Sequence, residues 1–135
     1  MSKLLAYQMF LKKANSDLKA SIKLMDDDEI ESEIICFHLQ QSVEKYLKAY
    51  LIFNGNQPKK IHDIGLLIHE CKKIDEEFII FDDSIILELT DCGVIARYDE
   101  LEEIDKEFIK SSLTAVLELK LFIENKLSKT IFENN

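Results

Sequence analysis

One proline and three glycines in 135 residues leave this chain with very little punctuation. A β-sandwich of that length needs turns at intervals of about 8–12 residues, so an all-β fold is disfavoured. Long apolar runs are missing as well. The longest uncharged stretches reach about ten residues, against the roughly 20 that span a bilayer. Met1–Phe10 carries one lysine and a broken apolar run, with no secretory core or small-residue cleavage site. Positive charge is scarce. Seventeen Lys+Arg against 26 Asp+Glu give a net charge of -9. That disfavours a broad electrostatic grip on nucleic acid, which takes clustered Lys and Arg, although a local basic spot stays open. Arg97 is the only arginine. The cysteines Cys36, Cys71 and Cys92 are odd in number with no close pair, which reads as free buried thiols in a cytoplasmic protein.

What is present points to helices. At 47% hydrophobic the chain is too apolar to be disordered. A length of 135 residues suits one domain, 1–135, which buries roughly two-thirds of the unfolded chain's surface. There is no internal repeat or long linker. Leu4, Leu11, Leu18, Ile22 and Met25 recur at helical spacing and predict a first helix from about Ser2 to Met25. Asp26–Glu29 breaks it as a solvated turn and offers N-caps to a second helix, Glu29–Phe53, stopped by Asn54–Gly55. The second helix carries Ile35, Leu39, Val43, Tyr46, Leu47 and Tyr50 on its apolar stripe. At 1.5 Å per residue it is roughly 37 Å long.

Asn54–Lys60 is the clearest loop. A short helix from about His62 to Cys71 follows, with Ile64, Leu67, Ile68 and Cys71 on one side. Phe78–Phe81 looks like a strand but has no partner, so a packed loop or helical turn is expected. A fourth helix is expected from an Asp82–Asp83 cap to Arg97, carrying Ile85, Ile86, Leu89 and Val94, with Gly93 at a close helix approach. A last helix is expected over Leu101–Leu127 with a frayed tail from Thr130. It carries Ile104, Phe108, Leu113, Val116, Leu117 and Ile123, interrupted by Lys120. The fold class is therefore all-α, an up-and-down bundle of four long helices and one short one. Surplus apolar residues, namely Tyr50, Ile52, Phe122 and Ile123, are candidates for an isologous dimer interface.

Three polar features carry candidate chemistry. Gln41, Glu44, Lys45 and Lys48 fall within a sector of roughly 100° on the second helix, opposite Leu39, Val43 and Tyr50. This is either a solvated face with Glu–Lys pairs or a binding surface. His62–Asp63 sits just past the loop, where a histidine caps, donates to a carboxylate, or meets a phosphate or base. Arg97–Tyr98 brings a guanidinium fork suited to phosphate or carboxylate, near a helix C-terminus where positive charge is favoured anyway.

Asp17–Leu18 with Ala20, Phe37–His38, Gln40–Lys45, Leu47–Ala49, His62–Asp63, Leu66–Leu67 and Arg97–Asp99 together resemble the HEPN family, over roughly residues 10–128. Asp99 stands where that family usually has proline, a departure that affects the turn more than ligand chemistry. The resemblance implies a five-helix bundle, usually homodimeric. Many members are partners of a minimal nucleotidyltransferase, in two-component systems that include toxin–antitoxin pairs. It also implies nucleotide binding, with ATP or a similar nucleotide the candidate ligand. Matched onto this chain, the family positions are Gln41, Glu44, Lys45, Lys48, His62, Asp63, Arg97 and Tyr98.

The ribonuclease branch of the family carries Arg, four to six residues, then His. Here His38, His62 and His69 all precede Arg97, so the motif is absent. The expected function is thus a non-catalytic helical module that binds nucleotide, a nucleotidyltransferase or both. The alternative is a divergent ribonuclease acting without that motif, and a purely structural assembly subunit is a third. His62 and His69 lack a third ligand at helix spacing, so no metal site is expected. No glycine-rich phosphate loop is present, and nothing marks a Ser-His-Asp nucleophile. The acidic chain and the mixed polar face of the first helix argue against a membrane-surface anchor.

Overall fold

The computed structural model describes residues 3–58, 60–92 and 104–133, with side chains described over 6–58, 60–92 and 104–130. In chain order the described elements are helix α1 (Lys3–Met25), α2 (Ser32–Phe53), α3 (Ile64–Ile74), the 3-10 turns η1 (Glu76–Phe81) and η2 (Ile85–Asp91), and α4 (Lys106–Glu133). No strand occurs among the described residues. The all-helical class is as expected. Among the described residues there are three long helices, one short helix and two 3-10 turns, where four long helices and one short one were expected over the whole chain.

The hub is α2. Its apolar residues Ile35, Leu39, Val43, Tyr46, Leu47 and Tyr50 are all buried, as their spacing predicts. Helix α1 packs along it through Tyr7, Ala14, Leu18 and Ser21. Ala14 and Ser42 let the two backbones approach, and Ser42 Oγ donates to the Ala14 carbonyl at 3.0 Å. Ile22, expected on that seam, is 42% exposed. The turn Asp26–Glu29 is solvated, but it does not cap α2. Asp27 Oδ1 accepts from the Glu29 amide at 2.9 Å within the turn itself, and the helix opens later, behind Glu31, without a side-chain cap. At its other end α2 stops as Asn54–Gly55 predicts. Gly55 has φ 85° and the Asn56 amide reaches back to the Leu51 carbonyl at 2.9 Å, a Schellman closure.

Asp63 caps α3, accepting from the Leu66 amide at 3.0 Å. Ile64, Leu67, Ile68 and Cys71 then face inward. In η1, Phe78 and Phe81 turn in while Ile79 and Ile80 are each 62% exposed, so the segment is the expected helical turn. Phe78 meets Tyr50, Phe81 and Phe122 at centroid distances of 4.7, 6.2 and 4.9 Å. Burial pushes the Tyr50 phenol up to about 12, with Asp75 adding to the effect, and it lifts Tyr46 higher still. Tyr50 and Ile123 are buried and Phe122 packs on the same cluster, so these residues serve this chain's own core rather than an isologous interface. Ile52 also packs against that core.

Over residues 85–91 the expected fourth helix is corrected. That stretch is the 3-10 turn η2, capped by Ser84, whose Oγ accepts from the Ile86 amide at 3.2 Å. Asp82 is not the cap because Lys72 holds its carboxylate at 2.8 and 2.9 Å. Adjacent β-branched Ile85 and Ile86 at the start suit a short 3-10 piece better than a long helix. Gly93 and Val94 lie outside the described residues.

Helix α4 starts at Lys106 rather than Leu101, behind Asp105, which accepts from the Glu107 amide at 3.0 Å. It continues through Glu133, because no glycine or proline follows Leu127 to end it. The tail expected to fray from Thr130 is therefore helical to that point. Its buried line is Ile109, Ser112, Val116, Leu119, Ile123 and Leu127, while Leu117 is 39% exposed. Lys120 pairs with Glu124 at 3.3 Å.

The cysteines are also corrected. Cys36 on α2 and Cys92 after η2 form a disulfide with Cα atoms 5.7 Å apart, and only Cys71 is free. A separation of 56 residues gave no sequence signal of this pairing.

Candidate functional site

Glu44 is the centre of the polar site. It lies on the inner edge of the α2 polar stripe with its side chain 5% exposed. A carboxylate so buried is stable only when paired and hydrogen-bonded, and three groups meet it. Gln40 Nε2, one turn earlier, donates to Oε1 at 3.3 Å. Lys48 Nζ, one turn later, stands 3.7 Å from Oε2. His62 Nδ1 lies 3.2 Å from the same Oε2. An ionised carboxylate only accepts, so this contact places the imidazole proton on Nδ1. The His62 side chain is 70% exposed, whereas that of Lys48 is 10% exposed. The arrangement is an outward-facing imidazole oriented from below by a buried carboxylate with an ammonium beside it.

The loop and turns hold this in place. Asp63 caps α3 and thereby fixes the backbone next to His62. Thr90 of η2 accepts from the Ile64 amide through its hydroxyl at 3.1 Å, and its carbonyl lies 3.5 Å from Gln40 Nε2. Gln40 Oε1 is buried and has no hydrogen-bond partner among the described residues.

The opposite edge of the stripe carries a second cluster. Asp17 of α1 meets His38 Nδ1 at 3.1 Å and also holds Lys45 Nζ. The expected face of Gln41, Glu44, Lys45 and Lys48 is therefore divided. Glu44 and Lys48 join His62, whereas Lys45 is turned to Asp17 and Gln41 is half-buried between the two edges. Arg97 and Tyr98 lie outside the described residues. Sequence reasoning missed Gln40 and Thr90 as partners of the site, and it gave Asp17 and His38 no role although both stand in the motif string. An i, i+4, i+8 line through 40, 44 and 48 was the available signal for Gln40.

An open groove runs along α1, lined by Gln8, Leu11, Lys12, Asn15, Ser16 and Lys19, and it contains none of the eight expected site residues. Among the described residues no three His, Cys, Asp or Glu gather to hold a metal. None of the described helices is long and apolar enough to cross a membrane.

The HEPN domain family model matches residues 7–126, which takes in most of α1, most of α4 and everything described between them. The chain belongs to the HEPN family. No curated protein matches it. The HEPN string Gln40–Lys45 thus lies on the central helix, and the HEPN His-Asp pair divides its work: Asp63 caps a helix and His62 reaches Glu44.

Proposed function

We propose that this HEPN chain, folded as one domain over 1–135, is a non-catalytic binding module that engages a nucleotide, a minimal nucleotidyltransferase or both, as one half of a two-component system of the toxin–antitoxin kind. The observation that carries this is the oriented His62, most of its ring in solvent over a carboxylate that is 5% exposed. Such a ring offers stacking and hydrogen bonding to a base or to a partner's side chain. In this reading Arg97 supplies charge for phosphate, Tyr98 stacks, and Gln41 contacts the ligand edge. Glu44, Lys48, Asp63 and Lys45 act as supports, since each is already engaged within the fold.

The same helix supports homodimerisation. Ile34 and Phe37 lie on the α2 stripe next to His38 and Gln41, each 45% exposed. A cytoplasmic setting fits the reading.

Calorimetric titration with ATP, GTP, CTP and UTP, with and without Mg²⁺, tests nucleotide binding. Saturable micromolar binding, weakened about tenfold in His62→Asn and in Arg97→Ala, is the expected result; tenfold corresponds to about 1.4 kcal/mol. Absence of heat with every nucleotide would confine the function to partner binding, tested by co-purification with a nucleotidyltransferase. Light scattering at micromolar concentration tests the dimer, and a monomer would remove it.

One observation favours a second reading. A histidine held by a buried carboxylate is also the layout of a general base and its orienting group. On that reading the chain is a divergent ribonuclease lacking the usual Arg–His motif. Metal-independent RNA cleavage abolished in His62→Asn would establish it, and intact RNA after prolonged incubation would exclude it.

A further inference from the structure

The Cys36–Cys92 pair lies under the polar site. Cys36 precedes Gln40 by one turn of α2, and Cys92 follows Thr90 by two residues. Thr90 is the residue that ties η2 to both Gln40 and the start of α3 beside His62. Both cysteines are fully enclosed, at 0% and 1% exposed.

Breaking the bond moves the sulfurs from about 2.05 Å apart to non-bonded contact, at least about 3.5 Å. A close-packed interior does not absorb such a displacement locally. Two routes lead away from it, along α2 to Gln40 and along η2 to Thr90, and both end at the Glu44–His62 contact. Cys71 stands apart. It is buried, its Sγ faces the Leu47 carbonyl, and burial raises its thiol far above the ordinary range, so it does not compete for exchange.

We propose that Cys36–Cys92 is a reversible redox clasp that sets the geometry of the Gln40–Glu44–His62 site. The chemistry is thiol–disulfide exchange with a dithiol reductant. One thiolate of the reductant attacks a clasp sulfur and forms a mixed disulfide, and the other clasp sulfur leaves as thiolate and takes up a proton. The reductant's second thiolate, or in a glutathione buffer the thiolate of a second glutathione, then resolves the mixed disulfide. Two electrons pass, the reductant becomes a disulfide, and this chain holds two thiols. A disulfide oxidant drives the reverse. Since both sulfurs are enclosed, exchange waits on local opening of η2 from α2. The clasp regulates the site proposed above. Its readout needs no ligand, so failure of nucleotide binding and failure of the clasp are separate results.

The test uses the full chain with Cys71→Ser, equilibrated in glutathione buffers from fully oxidising to fully reducing. After acid quench, denaturation and maleimide labelling, mass spectrometry is expected to show zero labels at one end and two at the other, interconverting in both directions. Wild-type protein gives the same reading as one label against three, which covers any folding defect of the variant. His62 is then titrated by NMR in both redox states and in Cys36→Ser/Cys92→Ser. Its apparent proton affinity is expected to differ at least twofold between oxidised and reduced protein, with the double variant following the reduced form and exposed His69 unchanged. Two labels at every buffer ratio would overturn the clasp. Superimposable His62 titrations in the two redox states would also overturn it, since a bond that only staples the fold leaves that titration unmoved.

Discussion

The two halves of α2 are held by different physics. The C-terminal half buries Tyr50 in an aromatic cluster with Phe78, and Phe122 joins Phe78 to Phe81 at 4.9 and 5.2 Å. The middle of the same helix buries Gln40, Glu44 and Lys48, whose stability depends on each group finding a partner. Apolar packing is non-directional and scales with area removed from water. Buried polar pairing adds little net stability but costs heavily when broken. The apolar part fixes where α2 lies, and the polar part fixes what it presents. Breaking each half separately should therefore give different signatures.

The largest effect is expected in the apolar half. Phe78 is fully buried and touches three other rings, so Phe78→Ala should cost about 3–5 kcal/mol. Urea unfolding monitored by far-UV circular dichroism measures it. A loss under about 1 kcal/mol would mean that η1 does not dock on α2 and α4 as described.

The polar half is expected to give a somewhat smaller loss with a diagnostic rescue. Glu44→Leu leaves Lys48 enclosed without its carboxylate and should cost about 3 kcal/mol. Adding Lys48→Met should recover most of that loss, since two apolar residues of similar volume replace a buried pair at little net cost. A double variant no better than the single one would show that the Glu44–His62 and Glu44–Gln40 contacts carry the stability, not the ion pair.

These two halves were unequally legible in the sequence. Helical spacing named Ile35, Leu39, Val43, Tyr46, Leu47 and Tyr50, all of them buried, because a period of 3.6 reports which side faces inward. The polar partners resisted that treatment. A sector of roughly 100° cannot say which edge another helix will cover, and α1 claims Lys45 through Asp17 while η2 stands against Gln40. Ile22 and Leu117 fit the period yet remain 42% and 39% exposed, because the seam of each helix lies one step around from them. The Cys36–Cys92 pairing was hidden for a related reason, since neither spacing nor count carries long-range contact.

The edge of the aromatic cluster offers a pH test. Lys126 of α4 reaches Asp75 at 2.8 Å and also holds Glu77, bridging α4 to η1. Its hydrogen bond keeps the Asp75 carboxyl below the usual range despite partial burial. A depressed carboxyl stabilises the fold above the unfolded value, about 3.9, and the contribution fades as pH falls through the lower folded value. Lys126→Met should therefore cost about 1 kcal/mol at pH 7, and its stability curve should converge on that of wild type as the solution is acidified below pH 4. Parallel curves down to pH 2 would assign the loss to packing of the lysine stem on Phe122, whose ring centre lies 5.3 Å from Nζ.

The smallest stability effect belongs to the residue with the most proposed function. His62 donates to Glu44 but leaves 70% of its side chain in solvent. Its loss removes one hydrogen bond from a carboxylate that keeps Gln40 and Lys48, so His62→Asn should shift stability by no more than about 0.5 kcal/mol. The same substitution should change ligand or partner affinity by about tenfold. That contrast separates a site from a scaffold, because a residue that only braces the loop loses stability and binding in proportion. If His62→Asn destabilised the fold as much as Glu44→Leu, the imidazole would belong to the core of α2. The outward face of the helix would then have to be sought at Ile34, Phe37 and Gln41.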